Sequence, residues 1–305
     1  VRFEFADCGR ANDGLSSLGF EAKGTQLEGG ELKGCFEANR IGSAFFLSAF
    51  LSKRTLFTGQ KMPGMSTFCF MASGDSYYQG GSSYGGDLCG YKAGVPDMHC
   101  AWNGRLCSTY LPAGEFKAYL LQCGAHNAYE RFTETFSTQL CGAGVQLMQR
   151  QFEQGLNGQL KSDAQVFSLL ATLLEQAETP RPAEEGCRNL PLLREFVQFA
   201  HDNAANEPLT LAEVSQMLHV GSSTLKRACT DAYGMSVIGL MRQVRLEQCR
   251  LSFLKPEPGA TVDSVRKKYR FTTKSRFARM YKESFGELPS ESFMRGQGQL
   301  RIKGI

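Results

Sequence analysis

The chain of 305 residues contains no run of eighteen uninterrupted apolar residues, so nothing in it reads as a membrane-spanning helix. It has only four histidines, none at ligand spacing, and its eleven cysteines include no CxxC pair. Metal sites need thiolates or imidazoles close enough to converge, so no metal is expected. The cysteines read instead as reduced, mostly buried thiols of a cytoplasmic protein. No phosphate loop and no nucleophile–base spacing is recognisable, so no catalytic group or cofactor is expected either. The opening VRFEFADCGR lacks the charged, apolar and small-residue order of a signal peptide, and Val1 in place of Met suggests a trimmed chain.

What is present is a basic stretch of unusual density. RKKYRFTTKSRFARMYKESFG, residues 266–286, carries eight Lys and Arg in its first seventeen positions and no acid before Glu283. The charge is uneven over the whole chain. Residues 1–189 hold 16 basic and 19 acidic side chains, a balance of −3, whereas residues 190–305 hold 18 and 11, a balance of +7. The imbalance suggests that only the second part meets a polyanion.

The length allows two domains, each with a sizeable core. Residues 1–125 are Gly- and Phe-rich, and AFFLSAFL (44–51), STFCFMA (66–72) and EFKAYLLQC (115–123) read as strands. The tract SGDSYYQGGSSYGG (73–86) reads as a long loop. From Asn127 the apolar spacing turns helical, in AYERFTETFSTQL, VQLMQRQFEQGL and DAQVFSLLATLLEQAE. Val166, Phe167, Leu169, Leu170, Leu173 and Leu174 cover more than one face of the last of these. They suggest a homodimer seam within 144–177, or a helix sandwiched inside its own domain. TPRPAEEGCRN (179–189) is the expected linker. Helices follow at 190–204, 210–218, 222–233, 236–254, 261–269, 273–285 and 290–295, before a tail at 297–305.

Two copies of one unit lie in this second part. LKRACTDAYG (225–234) and FARMYKESFG (277–286) both read apolar, x, Arg, x, apolar, four residues, Gly, at an offset of 52. Upstream, Leu211 and Val214 match Val262 and Val265 at an offset of 51, so the second turn is one residue longer. A short helix, a tight turn and a second helix with a polar start is the helix-turn-helix plan. On that plan Phe271, Phe277 and Tyr281 face the core of the second unit. Ser222, Ser223, Thr224, Lys226 and Arg227 in the first unit face DNA, as do Thr272, Thr273, Lys274, Arg276, Arg279 and Lys282 in the second. The nineteen residues 236–254 between the copies span about 28 Å as a helix. That length, with the width of the flanking units, sets the two reading helices about one DNA turn apart, ~34 Å.

These residues resemble the AraC/XylS family of transcription regulators over about 190–296. The family pattern G-x-S…R-L-x-x-A…L is met by Gly234-Met235-Ser236, Arg245-Leu246-Glu247-Gln248-Cys249 and Leu254. Its second pattern is met by Phe271, Ser275, Phe277, Arg279, Tyr281, Lys282, Gly286 and Pro289. Two positions depart from it: Arg270 stands where the turn glycine is expected, and Arg266 where a small residue is expected. A long Arg at a helix–helix contact is expected to snorkel its guanidinium outward. His219 holds the equivalent turn of the first unit.

The resemblance implies an α+β protein of two domains: a β-rich, cupin- or barrel-like sensor and dimerisation domain (1–178) and an all-α double helix-turn-helix domain (190–296). It implies promoter DNA as the partner, usually bound as a homodimer, with RNA polymerase and a small-molecule effector as further partners, in the bacterial cytoplasm at the nucleoid. LEGGELKGCF and FLSKRTLFTGQKMPG are similar to segments of cyanobacterial regulators linked to light-colour acclimation. GYKAGVPDMHCAWNGR (90–105) gathers Tyr91, His99, Trp102 and Arg105 as either an effector-pocket wall or a core strand. An enzyme or sensor carrying a DNA-binding appendage is the alternative class.

Overall fold

A computed structural model describes residues 1–303 apart from 61, 79–80, 84–86, 95–96, 134–135, 178–180 and 183–188. Its elements run β1 (Arg2–Phe5), α1 (Cys8–Ser17), β2 (Glu21–Gln26), β3 (Gly34–Ile41), β4 (Ala44–Leu51), β5 (Thr55–Gln60), β6 (Met65–Tyr78), β7 (Gly81–Ser83), β8 (Asp87–Tyr91) and β9 (Asp97–Pro112). Then come α2 (Ala113–Gln122), α3 (His126–Thr133), β10 (Phe136–Gln139), α4 (Gly142–Leu156), α5 (Asp163–Gln176) and β11 (Arg181–Pro182). All-helical chain follows: α6 (Leu190–Asp202), α7 (Leu211–Met217), α8 (Ser222–Tyr233), α9 (Val237–Leu254), α10 (Val262–Lys268), α11 (Lys274–Phe285) and α12 (Pro289–Lys303). The fold is therefore α+β, a β-rich N-terminal part and a helical C-terminal part. No helix among the described residues is long and apolar enough to cross a membrane.

The sheet is antiparallel, in the order β1-β3-β4-β9-β6-β8-β10-β11, with β5 joining β2 to β9. AFFLSAFL shows why one strand can be apolar almost throughout. Successive side chains of β4 point to opposite faces. Phe45, Leu47, Ala49 and Leu51 enter one core with α1 and the strands, while Ala44 and Phe46 enter another with α2, α4 and α5. Buried on both faces, the strand needs no polar alternation.

Several expectations are corrected. Residues 115–123 form helix α2, not a strand: Phe116 and Leu120, four apart, make one buried stripe. The first 125 residues also contain α1, whose start is fixed by Asp7 accepting from the Arg10 amide at 2.8 Å. In the tract expected to be a loop, 73–78 continue β6 and 81–83 form β7, while 79–80 and 84–86 lie outside the described residues. FSTQ, expected to be helical, is β10, paired with β8 and with β11 inside the expected linker. The rest of that linker, apart from Asn189, lies outside the described residues.

The expected seam on α5 is also corrected. Val166, Phe167, Leu170, Leu173 and Leu174 are buried within the chain itself, and Leu169 is half-buried. Phe167 meets Phe116 and Tyr119 of α2 at 5.4 and 5.6 Å. Asp163 at the start of α5 accepts from the Ser43 and Ala44 amides and so ties the helix to the β3–β4 turn. The two-sided apolar pattern is that of a helix sandwiched inside one domain.

Ten cysteines are described, all as free thiols, seven of them buried. Burial pushes Cys100, Cys107 and Cys229 up to about 12. Among these ten, Cys123 and Cys141 are exposed and are expected to react first with a disulfide reagent at pH 8. Peptide mapping after a short pulse checks this, and early labelling of Cys100 or Cys249 would contradict it.

Candidate nucleic-acid interface

Each helix-turn-helix unit begins with a helix that caps itself. Thr210 and Glu213 make a capping box on α7, and Thr261 and Ser264 do the same on α10. The second helix of each unit is different. Gly221 before α8 and Thr273 before α11 give no side-chain cap. The first amide N–H groups of both second helices are thus left for an outside acceptor, and the positive end of the helix dipole favours an anion there.

The turns between the paired helices place these starts. His219 and Arg270 both adopt the left-handed conformation, with φ of 50° and 61°. Arg266 does not snorkel as expected. It is 5% exposed, pairs with Asp263 at 2.9 Å, and donates to the carbonyls of Phe271 and Thr272. The guanidinium thereby satisfies two carbonyls of the turn, while Arg270 keeps the left-handed conformation that a glycine would adopt at less cost. Asp263 also draws Lys267 and Lys274, and hydrogen bonds from Lys267 and Arg266 hold its carboxyl down to about 2. Both second helices end on glycine in the left-handed region, Gly234 and Gly286, a conformation that residues with a Cβ rarely adopt.

The faces behave as their apolar spacing requires. Leu225, Phe277 and Tyr281 are buried, and Phe271 packs half-buried on Phe277 at 4.9 Å. On the outer side of α8, Ser223, Lys226 and Arg227 are exposed, with Ser222 and Thr224 half-buried. On α11 and its approach, Thr272, Thr273, Lys274, Arg276, Arg279 and Lys282 are all exposed. The only described carboxylate within ion-pair reach of Arg279 is Glu283, at 3.8 Å on an exposed turn, a pairing worth little against solvent. Between the units α9 runs for 18 residues, about 27 Å.

The structure does not bring the expected effector residues together. His99 borders the small cavity between α1 and the sheet and stacks on Phe57 at 5.3 Å. Tyr91 is buried in a separate cluster with Cys69, Met71, Cys89 and Leu106. Arg105 is tied to Ser48 and Glu153 at 2.6 and 2.7 Å, joining the sheet to α4. Trp102 pairs through its backbone with Asp75, and its side chain lies outside the described residues.

Sequence reasoning missed how closely the two parts are joined. Leu27, Leu56, Met98 and Cys100 belong to the same core as the C-terminal helices. Arg250 of α9 is 2% exposed and reaches Glu287 at 3.0 Å, the Ala6 carbonyl at 3.3 Å and Gln26 at 3.4 Å, lying over the Phe285 ring. Glu247 is fully buried beside it and accepts from the Gln26 amide, and burial pushes its carboxyl up to about 7. Gln26 also donates to the Ser284 carbonyl in the last turn of α11, and Arg54 to the Tyr233 carbonyl in the last turn of α8. No local pattern announces such contacts, because the partners are more than 170 positions apart in the chain. Charged residues within the apolar spacing of α9, Arg245, Glu247 and Arg250, were the one available signal.

A family model described as a helix-turn-helix domain matches residues 214–295. A probable thc operon regulatory protein of Rhodococcus erythropolis is 28% identical over 113 residues, 37% of this chain and 32% of that protein. The regulatory protein HrpB of Ralstonia nicotianae is 29% identical over 104 residues, 33% of this chain and 22% of that one. The chain thus matches a third or less of the length of these curated relatives. Among solved structures, the AraC-like transcriptional activator CuxR aligns over 88% of this chain and all of its own, at 12% identity and a TM-score of 0.43. A probable AraC family regulator from Rhodopseudomonas palustris aligns over 35% of this chain and 97% of its own, at 24% identity and a TM-score of 0.32. In its C-terminal third, this chain carries a helix-turn-helix domain.

Proposed function

We propose that the chain is a sequence-specific DNA-binding transcription regulator that lays α8 and α11 into successive major grooves of one promoter. The observation that carries this reading is the contrast in capping. α8 and α11, the second helices of their units, carry exposed cations on their outer faces and begin without a side-chain cap, whereas the first helices α7 and α10 are capped. Phosphates complete such starts, while Ser, Thr, Lys and Arg on the first turns reach base edges. On this reading residues 190–296 bind DNA and residues 1–178 sense an effector or mediate assembly. The relatives' printed names, both regulatory proteins, support it.

Positioning and specifying contacts should separate on the two helices. Arg279→Ala or Lys282→Ala should weaken all duplexes alike, whereas Lys226→Ala or Arg276→Ala should relax the preference at one base position by about 1–3 kcal/mol. Selection from a random duplex pool with each variant is the test. An unchanged motif with both Lys226→Ala and Arg276→Ala would mean that these faces do not read bases.

Assembly follows from the covered face of α5. Light scattering of the full chain is expected to give a monomer at tens of micromolar, because the apolar side chains that would form that seam are already used. A homodimer then forms on DNA, two copies on a duplex carrying two adjacent sites. A dimer without DNA would show that another surface joins the copies.

A further inference from the structure

Between the two helix-turn-helix units lies a cavity of about 300 Å³. Its walls come from the first half of α9, the turn 270–273 and the first turns of α11. The apolar part is Met241, Phe271 and Met280, two flexible thioethers beside an aromatic ring, which adapt well to a flat apolar body. The polar part is cationic: Arg242, Arg245, Arg270 and Arg276.

These guanidiniums are poorly matched by carboxylates. Arg270 pairs with Glu207 at 3.3 Å, whereas Arg242, Arg245 and Arg276 pair with no carboxylate among the described residues. Arg245 is 7% exposed. It donates once, to the Asn206 carbonyl at 3.1 Å, and its Nε has no partner among the described residues. Burial lowers its pKa, Cys249 and Glu207 oppose that shift, and nearby Arg270 adds to it. A buried cation with no carboxylate in direct contact is costly, and an anion entering the cavity would lower that cost. Arginine matches a carboxylate in a two-pronged, planar geometry that few other groups reproduce. The volume is at the lower end of small-molecule sites.

We propose that this cavity binds an amphipathic organic carboxylate, its charge on Arg242 and Arg245 and its flat body between Met241 and Met280. Thr272, Thr273 and Arg276 line the cavity and also belong to the face assigned to DNA, so the ligand and the duplex exclude each other. The site itself stands apart from the DNA-binding reading, and only the exclusion rests on it.

The test uses 2-naphthoate as the probe and the full chain without DNA. Titration calorimetry should show one site with a Kd of about 100 μM. The uncharged isostere 2-naphthamide should bind about tenfold or more weakly, because it forfeits the charge-assisted pairing. Arg242→Gln, at an exposed position that leaves the fold intact, should weaken naphthoate by about tenfold and leave naphthamide unchanged. Equal affinity for acid and amide, or naphthoate binding indifferent to Arg242→Gln, would overturn the site. A second arm repeats the titration with a saturating duplex recovered by the selection above, where naphthoate affinity should fall. If the duplex binds and naphthoate is unaffected, the exclusion is wrong. If no duplex is ever selected, the DNA reading fails and the first arm alone decides the site.

Discussion

Arg250→Met should lower the melting temperature of the chain by about 10 °C. The side chain is 2% exposed and holds four groups at once: Glu287, the Ala6 carbonyl, Gln26 and the Phe285 ring. Glu287 keeps Arg295 at 2.8 Å, but the fully buried Glu247 loses its cation. Stranding a buried charge costs about 3–5 kcal/mol, and a chain of this size loses about 2–4 °C for each. Differential scanning calorimetry reads the shift, and a change below about 2 °C would mean that water already reaches the cluster. The variant should also depend on pH in a definite direction. Burial raises the Glu247 carboxyl to about 7 even with Arg250 opposing it. Between the ordinary carboxylate range and that value, the folded chain keeps a proton that the unfolded chain has released, so stability falls as pH rises. Without Arg250 the upper end of the window moves higher. The deficit of the variant should therefore be larger at pH 8 than at pH 6.

Raising salt from 50 to 200 mM should cost the protein–DNA complex about a thousandfold in affinity. The exposed cations on α8 and α11, together with the open amide ends of both helices, suit about six phosphates. Each neutralised phosphate releases condensed counterions, so the logarithmic slope is near −5. Fluorescence anisotropy across that range measures it. A slope flatter than about −2 would show that this surface does not track the backbone. Because the effect is independent of sequence, it should be equally steep for a selected duplex and its scramble.

The C-terminal elements from α6 to α11 were legible almost to the residue because their boundaries carry local chemistry, whereas the last helix, expected at 290–295 before a tail, runs from Pro289 to Lys303. SSTLKRACTDAY is α8 as read, and Gly234 and Gly286 close their helices in the left-handed region, as the repeat implied. His219 and Arg270 share a strained turn at matching places in the two units. The N-terminal part was legible only as a class. Phe-rich segments at 66–72 and 115–123 look alike by composition, and only the buried pair Phe116 and Leu120, four apart, marks the second as helical. The two-sided apolar pattern of α5 could not distinguish its own sheet from a second subunit, since both present the same kind of surface. Arg266 was misread for a related reason. A guanidinium that finds two backbone carbonyls within its own turn has no need of solvent.

The two hydrogen bonds from the sheet to the last turns of the reading helices have a geometric consequence. Gln26 ends β2, and Arg54 precedes β5, its partner strand. One antiparallel strand pair therefore holds the trailing ends of both helices, much as a calliper grips a gauge block. Angle and separation of the two helices are then a single coordinate, fixed by the spacing of two adjacent strands. A change in the sheet that shifted β2 against β5 would reach both α8 and α11 at the same moment, with no relay through the chain between them.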